Sequence, residues 1–183
     1  FWQNKELMRR NVRFKTKMKI LDCYVFSVLN YGCESWTWNM AMKKKVEAFE
    51  MWCYRRMLKI SWIDKVTNED VLKRVKKSIR GKSRTALYFL NDMMERKAKY
   101  AGHVLRGSSG EAHLRILEGK VGEKKKRQRP RLTWIDNIIK WTNLEKGKYG
   151  EIKRMAEDRE KWRIIVGNLQ WVGKTAQKKT PNE

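Results

Sequence analysis

Apolar residues recur every three or four positions along most of this chain and almost never every second one, a spacing that predicts helices and few strands. Between Met18 and Leu29 the positions Leu21, Tyr24, Val25, Val28 and Leu29 keep helical register, and Gly32 stands where such a helix should stop, so a helix is expected near 15–31. Asn39 is a plausible cap for a longer helix over 39–60, whose stripe Val46, Phe49, Cys53, Met57 and Ile60 advances by threes and fours. Thr67 followed by Asp70 resembles a capping box with Asp in place of Glu or Gln, opening a helix over 67–80 with Val71, Leu72, Val75 and Ile79 on one side. Leu87, Leu90, Met94 and Ala98 place a further helix over 84–101.

The run Gly107–Gly110 (Gly-Ser-Ser-Gly) then breaks the pattern and divides a first helical region, 1–106, from the rest of the chain. Residues 107–132 read as a flexible basic linker, within which 113–118 are ambiguous between strand and helix. A C-terminal helical region spans 133–172. Thr133 can cap a short helix carrying Trp134, Ile138 and Trp141, and a single amphipathic helix from about Glu151 to Leu169 has Ile152, Met155, Trp162, Ile165 and Leu169 as its inner face. Residues 173–183 read as a disordered tail. The fold class is mainly α: a helical bundle followed by a smaller, looser, basic helical region.

Charge changes this picture from a fold into a function. The 183 residues hold 44 Lys and Arg against 20 Asp and Glu, a net charge of +24. The excess is spread along the chain: +8 over 1–60, +6 over 61–100, +6 over 101–140 and +4 over 141–183. A basic tail would leave a neutral body, whereas here every quarter is cationic, as in a protein that meets nucleic acid over an extended surface. Apolar residues make up 41% of the chain and include nine Trp, enough to build a core. Three Cys, an odd number, argue against a disulfide framework and fit a reducing compartment. No apolar run approaches the roughly 20 residues that span a bilayer, no signal peptide is visible, and a start at Phe1 suggests a fragment of a longer chain.

Three clusters are candidates for phosphate contact. Lys73, Lys76, Lys77 and Arg80 form a stripe nearly opposite the apolar side of their helix; a solvated face would look similar, but these cations have no acid interleaved among them. Arg55, Arg56 and Lys59 project from other faces of the 39–60 helix than its apolar stripe. Lys124, Lys125, Lys126, Arg127, Arg129 and Arg131 put six cations into eight residues that Pro130 holds extended, suited to a nucleic-acid groove, to nuclear import or to a mobile solvated loop. This last segment resembles an AT-hook, except that Gln128 replaces the Gly of its centre and would crowd a minor-groove floor. The Trp residues could stack on bases, but Trp52, Trp134, Trp141 and Trp162 keep helical spacing with aliphatics and are expected in cores; Trp36 and Trp38, after Gly32, are the more open cases.

Enzymatic chemistry finds little support. Cys23, Cys33, Cys53, His103 and His113 show no zinc spacing, and Cys23 and Cys53 are expected as buried thiols. There is no Gly-rich phosphate loop, and no Asp-Asp pair of the kind polymerases use to hold two metal ions. Asp64, Glu69 and Asp70 lie close together, yet Thr67 with Asp70 is better explained as a cap. No cofactor, metal or small-molecule substrate is expected for this segment.

Longer stretches carry a resemblance. LNYGCESWTW (Leu29–Trp38) and VEAFEMWCYRRMLKISWIDKVTNEDVL (Val46–Leu72) resemble the segment just after the polymerase core of non-LTR retrotransposon reverse transcriptases. GHVLR (Gly102–Arg106), RQRPRLTWIDNI (Arg127–Ile138) and AEDREKWRIIVGNL (Ala156–Leu169) extend it, most of all toward endonuclease–reverse transcriptases of the RTE/BovB type. The resemblance implies a chain that begins after the catalytic palm. Residues 1–60 would be thumb helices along a template–primer duplex, and 61–183 would help hold element RNA or target DNA. The Mg-binding carboxylates of the parent polymerase have no counterpart here, so the segment would not be an enzyme by itself. Its partners would be RNA or DNA and the palm and endonuclease regions, with no membrane, and its place the nucleus or a cytoplasmic ribonucleoprotein. A standalone basic architectural DNA-binding protein and a non-functional remnant are the alternative readings.

Overall fold

Apolar spacing at the start of the chain folds as predicted. In the computed structural model, which describes residues 12–78, 88–117, 132–142 and 149–169, helix α1 (Phe14–Leu21) buries Met18 and Leu21. It runs on through a π turn (Asp22–Phe26) into α2 (Ser27–Leu29). Val25 and Phe26 point inward from the π turn while Cys23 and Tyr24 face solvent. Gly32 takes φ +66°, the left-handed conformation that ends a helical run, and a short 3-10 turn (Cys33–Ser35) comes after it. The described residues form helices and no strand, so the fold is mainly α.

The chain divides into two compact units, Phe1–Lys97 and Ala98–Glu183. The first contains α3 (Met40–Met57), α4 (Asn68–Ser78) and the N-terminal part of α5 (Tyr88–Leu105). Asn39 caps α3, its Oδ1 accepting from Met42 N at 2.8 Å. From α3, Val46, Cys53 and Met57 enter the core as their spacing requires. They are joined by Phe89, whose ring stacks on Phe26 with centroids 4.5 Å apart, and by Met93 and Met94.

One carboxyl and two ammonium groups share this core. Glu50, fully buried, accepts from Tyr54 Oη at 2.6 Å and from the backbone N–H groups of Tyr88 and Phe89 at 2.7 and 3.2 Å, two backbone donors in the first turn of α5. Burial raises its pKa to about 7 despite those hydrogen bonds, with the nearby Glu47 adding a smaller push upward. Lys97, also fully buried, donates from Nζ to Trp36 O at 2.7 Å, and burial lowers its pKa to about 7. Lys17 donates to Met57 O at 3.2 Å, placing an ammonium at the negative end of α3.

The second unit holds the end of α5, α6 (Glu111–Leu117), α7 (Trp134–Trp141), α8 (Tyr149–Glu157) and α9 (Arg159–Gly167). Its centre is built on a close approach. Trp162 lies against Gly102 in the middle of α5 and donates from Nε1 to Ala98 O at 3.0 Å. A Cβ at 102 would sit 2.6 Å from Trp162 Cδ1, so the indole occupies the space a side chain would need. One turn on, Arg106 Nη1 donates to Ala156 O at 2.7 Å, satisfying a carbonyl in the last turn of α8. GHVLR and AEDREKW, remote in sequence, are thus the two sides of one packing contact.

Several expectations are corrected. The single helix over 151–169 is two, because Asp158 leaves the helical conformation (φ −83°, ψ 107°) and its Oδ1 accepts from Glu160 N and Lys161 N as the cap of α9. The ambiguous segment at 113–118 lies largely in a helix, α6. Trp38 is buried rather than open, and Cys23 is exposed rather than buried. Gly107 and Gly110 lie, both at positive φ, in the turn between α5 and α6. The 173–183 tail lies outside the described residues, as does most of the expected linker.

Candidate nucleic-acid interface

Helix α3 ends in a Schellman turn. Lys59 N donates to Arg56 O at 3.3 Å and Ile60 N to Arg55 O at 2.9 Å, with Lys59 in the left-handed conformation at φ +57°. Glycine is the usual residue there, since a Cβ makes the conformation unfavourable by about 1 kcal/mol. The chain then turns through a short loop into α4. Ser61 N donates to Asp64 Oδ2 at 2.7 Å, and Lys65 takes a second left-handed conformation at φ +45°. Lys59 and Lys65 are the non-glycine residues of positive φ among the described residues.

Arg55 fixes the far side of this loop. Its Nη2 donates to Val66 O at 2.8 Å and to Asn68 Oδ1 at 2.9 Å, tying the end of α3 to the start of α4. Thr67 and Asp70 then form the expected helix start: Asp70 N donates to Thr67 Oγ1 at 3.2 Å, and that hydroxyl donates to Asp70 Oδ2 at 2.8 Å.

Along the end of α3 and the start of the loop after it lies an open groove of about 630 Å³ lined by Trp52, Arg55, Arg56, Lys59, Ile60, Ser61 and Trp62. The Arg56 guanidinium stands 5.4 Å from the centroid of the Trp52 ring, a cation–π distance. Trp62 is 92% exposed and Ile63 84%. Among the described residues no carboxylate lines the groove, and Lys59 adds to the burial that lowers the pKa of Lys17. The sequence expectation grouped Arg55, Arg56 and Lys59, and the structure brings all three to one groove. Trp52, expected in the core, is only partly buried and forms one wall. Trp62 had no periodic signal to mark it; its one trace is an apolar pair, Trp62 and Ile63, set between the polar Ser61 and Asp64.

Helix α4 turns Val71 and Val75 inward and leaves Lys73, Lys76 and Lys77 exposed, together with Arg74, which the sequence pattern did not single out. The stripe is not free of acid, as had been expected: Asp70 reaches Lys73 Nζ at 3.3 Å. Both side chains are well exposed, so solvent screening keeps the pair weak and leaves Lys73 able to exchange Asp70 for a phosphate. Arg80, Lys124, Lys125, Lys126, Arg127, Arg129 and Arg131 lie outside the described residues.

Other chemistry is sparse. The described residues contain no cluster of three or more His, Cys, Asp or Glu able to hold a metal. Burial raises the Cys33 thiol to about 11 and the Cys53 thiol to about 12, far from the thiolate a nucleophile requires. Among the described residues no helix is long and apolar enough to cross a membrane.

A transposon-derived protein of Caenorhabditis elegans is 26% identical to this chain over 161 residues. The match covers 83% of this chain and 54% of the relative, so the chain spans about half the length of the protein it matches. No family model matches it, and no solved structure does.

Proposed function

We propose that this chain is a nucleic-acid-binding portion of a retrotransposon reverse transcriptase, of the non-LTR type that its motifs resemble, gripping RNA or DNA through phosphates. The carrying observation is that Arg56, Lys59, Lys73, Arg74, Lys76 and Lys77 are all held in the hairpin formed by α3 and α4, in a chain of net charge +24. Phosphate contacts of this kind give affinity with little base readout. The similarity to a transposon-derived protein supports the same reading. Polymerase chemistry would belong to a palm outside this segment, together with its Mg ions, and the chain would work in the nucleus or in a ribonucleoprotein.

The test is binding to single-stranded RNA, an RNA–DNA hybrid and duplex DNA between about 50 and 300 mM salt. A log–log slope of magnitude about 5 or more is expected, at roughly 0.7–0.9 per neutralised phosphate. A shallow slope, or absence of binding, would mean that the cations serve only as solvated surface. Purified chain should incorporate no nucleotide on any primer–template with Mg²⁺, and measurable synthesis would overturn the assignment of chemistry to another segment.

A further inference from the structure

We infer that the groove at the end of α3 takes an unpaired nucleotide, its base laid on the Trp62 indole and its flanking phosphates met by Arg56 and Lys59. The inference rests on the nucleic-acid reading above and names the form of strand that this one site prefers.

Exposure is the first observation. An indole that is 92% exposed, beside an isoleucine that is 84% exposed, stays in water where burial would be favourable. The loop carrying it is nonetheless ordered by its own hydrogen bonds, from Ser61 N to Asp64 Oδ2 and from Lys65 N to Trp62 O at 3.4 Å. Arg55 anchors the far end of the loop, so that it acts as a positioning residue. Trp62 is therefore presented outward rather than left loose, and the platform is formed before a ligand arrives.

Charge and backbone are the second observation. The groove has the volume of a small-ligand site, cations along its rim and, among the described residues, no carboxylate in its lining. Lys59 occupies a backbone position that favours glycine. At the equivalent place after α5, where Gly107 N donates to Val104 O and Ser108 N to His103 O, the chain does use glycine, at φ +75°. Keeping lysine at 59 retains an ammonium in the groove at the expense of a strained turn, and strain of this kind gathers at functional sites.

The pairing state is set by the geometry of stacking. An indole can cover a base only if one face of that base is free, which holds for single strands, overhangs and strand ends but not within a continuous duplex.

The experiment uses the full chain and three variants, Trp62→Ala, Trp62→Phe and Lys59→Gly, with a single-stranded RNA and a blunt duplex of equal length at one salt concentration. Because Trp62 is exposed, its replacement leaves the fold intact, which circular dichroism checks. Trp62→Ala is expected to weaken single-strand binding roughly 5- to 100-fold and duplex binding less than about twofold, with Trp62→Phe close to wild type. Lys59→Gly should reduce the salt slope by about 0.7–0.9 without lowering the melting temperature. Equal losses on both nucleic acids, or unchanged single-strand binding, would overturn the inference and leave the phosphate reading standing. Wild-type chain that binds neither nucleic acid would sink both. Loss of binding to anionic phospholipid vesicles in Trp62→Ala, with RNA binding unchanged, would make the loop a membrane anchor and overturn the inference as well.

Discussion

Helices α3 and α5 end in the same backbone turn, and the chain fills the two turns in opposite ways. After α5 the left-handed residue is Gly107; after α3 it is Lys59. The surroundings differ to match. The last turns of α5 are held by buried packing, with Trp162 against Gly102 and Arg106 bonded to Ala156 O. The last turn of α3 opens onto a groove and a tryptophan in water. Gly102 makes the contrast sharper. Glycine in a helix interior is unfavourable by about 1 kcal/mol relative to alanine, and it is present there because an indole needs the room. Where the backbone itself favours glycine, at 59, a lysine stands instead. At the end of α5 packing chose the residue; at the end of α3 packing offers no reason for the choice, and charge does.

Breaking the packed end should have the largest effect. Trp162→Ala removes a buried aromatic and its hydrogen bond to Ala98 O, and should destabilise the second unit by about 3–5 kcal/mol, read from denaturant melts. Gly102→Ala comes next: the added methyl meets Trp162, for a loss of about 1–3 kcal/mol, and a melting temperature equal to wild type would show that the indole can simply move aside.

The first unit should in addition respond to pH, through Glu50 and Lys97. Glu50 has a raised pKa, so its contribution is present below about 4.5 and is lost as pH rises through about 7. Lys97 has a lowered pKa, so its contribution is present above about 10.5 and is lost as pH falls through about 7. The two limbs together give the first unit a stability minimum near pH 7, each changing stability by on the order of 2 kcal/mol across the roughly two pH units beside it. Urea midpoints at pH 5, 7 and 9 check it; Glu50→Gln should flatten the acid limb alone.

The smallest effects test the comparison most directly. Lys59→Gly should raise stability by up to about 1 kcal/mol, and Gly107→Lys should lower it by about the same amount. Only the substitution at 59 should change nucleic-acid affinity. If Gly107→Lys altered binding as much as Lys59→Gly, the two ends would differ in sequence but not in role.

Much of the helical framework was legible because its signals are local and repeated. Asn39, Thr67 with Asp70, Gly32 and the Val46–Cys53–Met57 stripe each did what residues of their kind do at such positions. The break at Asp158 was hidden, because apolar residues on either side kept helical spacing straight through it; the cap shows in the backbone of Asp158 and in the hydrogen bonds of Glu160 N and Lys161 N. The buried Glu50 and Lys97 were equally hidden. A charge on an apolar stripe reads as an interruption until its partners, Tyr54, Tyr88, Phe89 and Trp36 O, come from elsewhere in the chain. At the candidate site the cations were visible from composition and spacing, whereas Trp62 was not, since a single residue in a turn carries no period.

The two covered thiols give the molecule a chemical clock. Cys33 and Cys53 are shielded and protonated, and all three cysteines of the chain lie in Phe1–Lys97. An alkylating reagent should therefore modify Cys23 at once and the other two only when the first unit opens, while openings of Ala98–Glu183 pass without a signal. The slow phase of labelling would then time the fluctuations of one half of the protein in the intact chain, with no probe added.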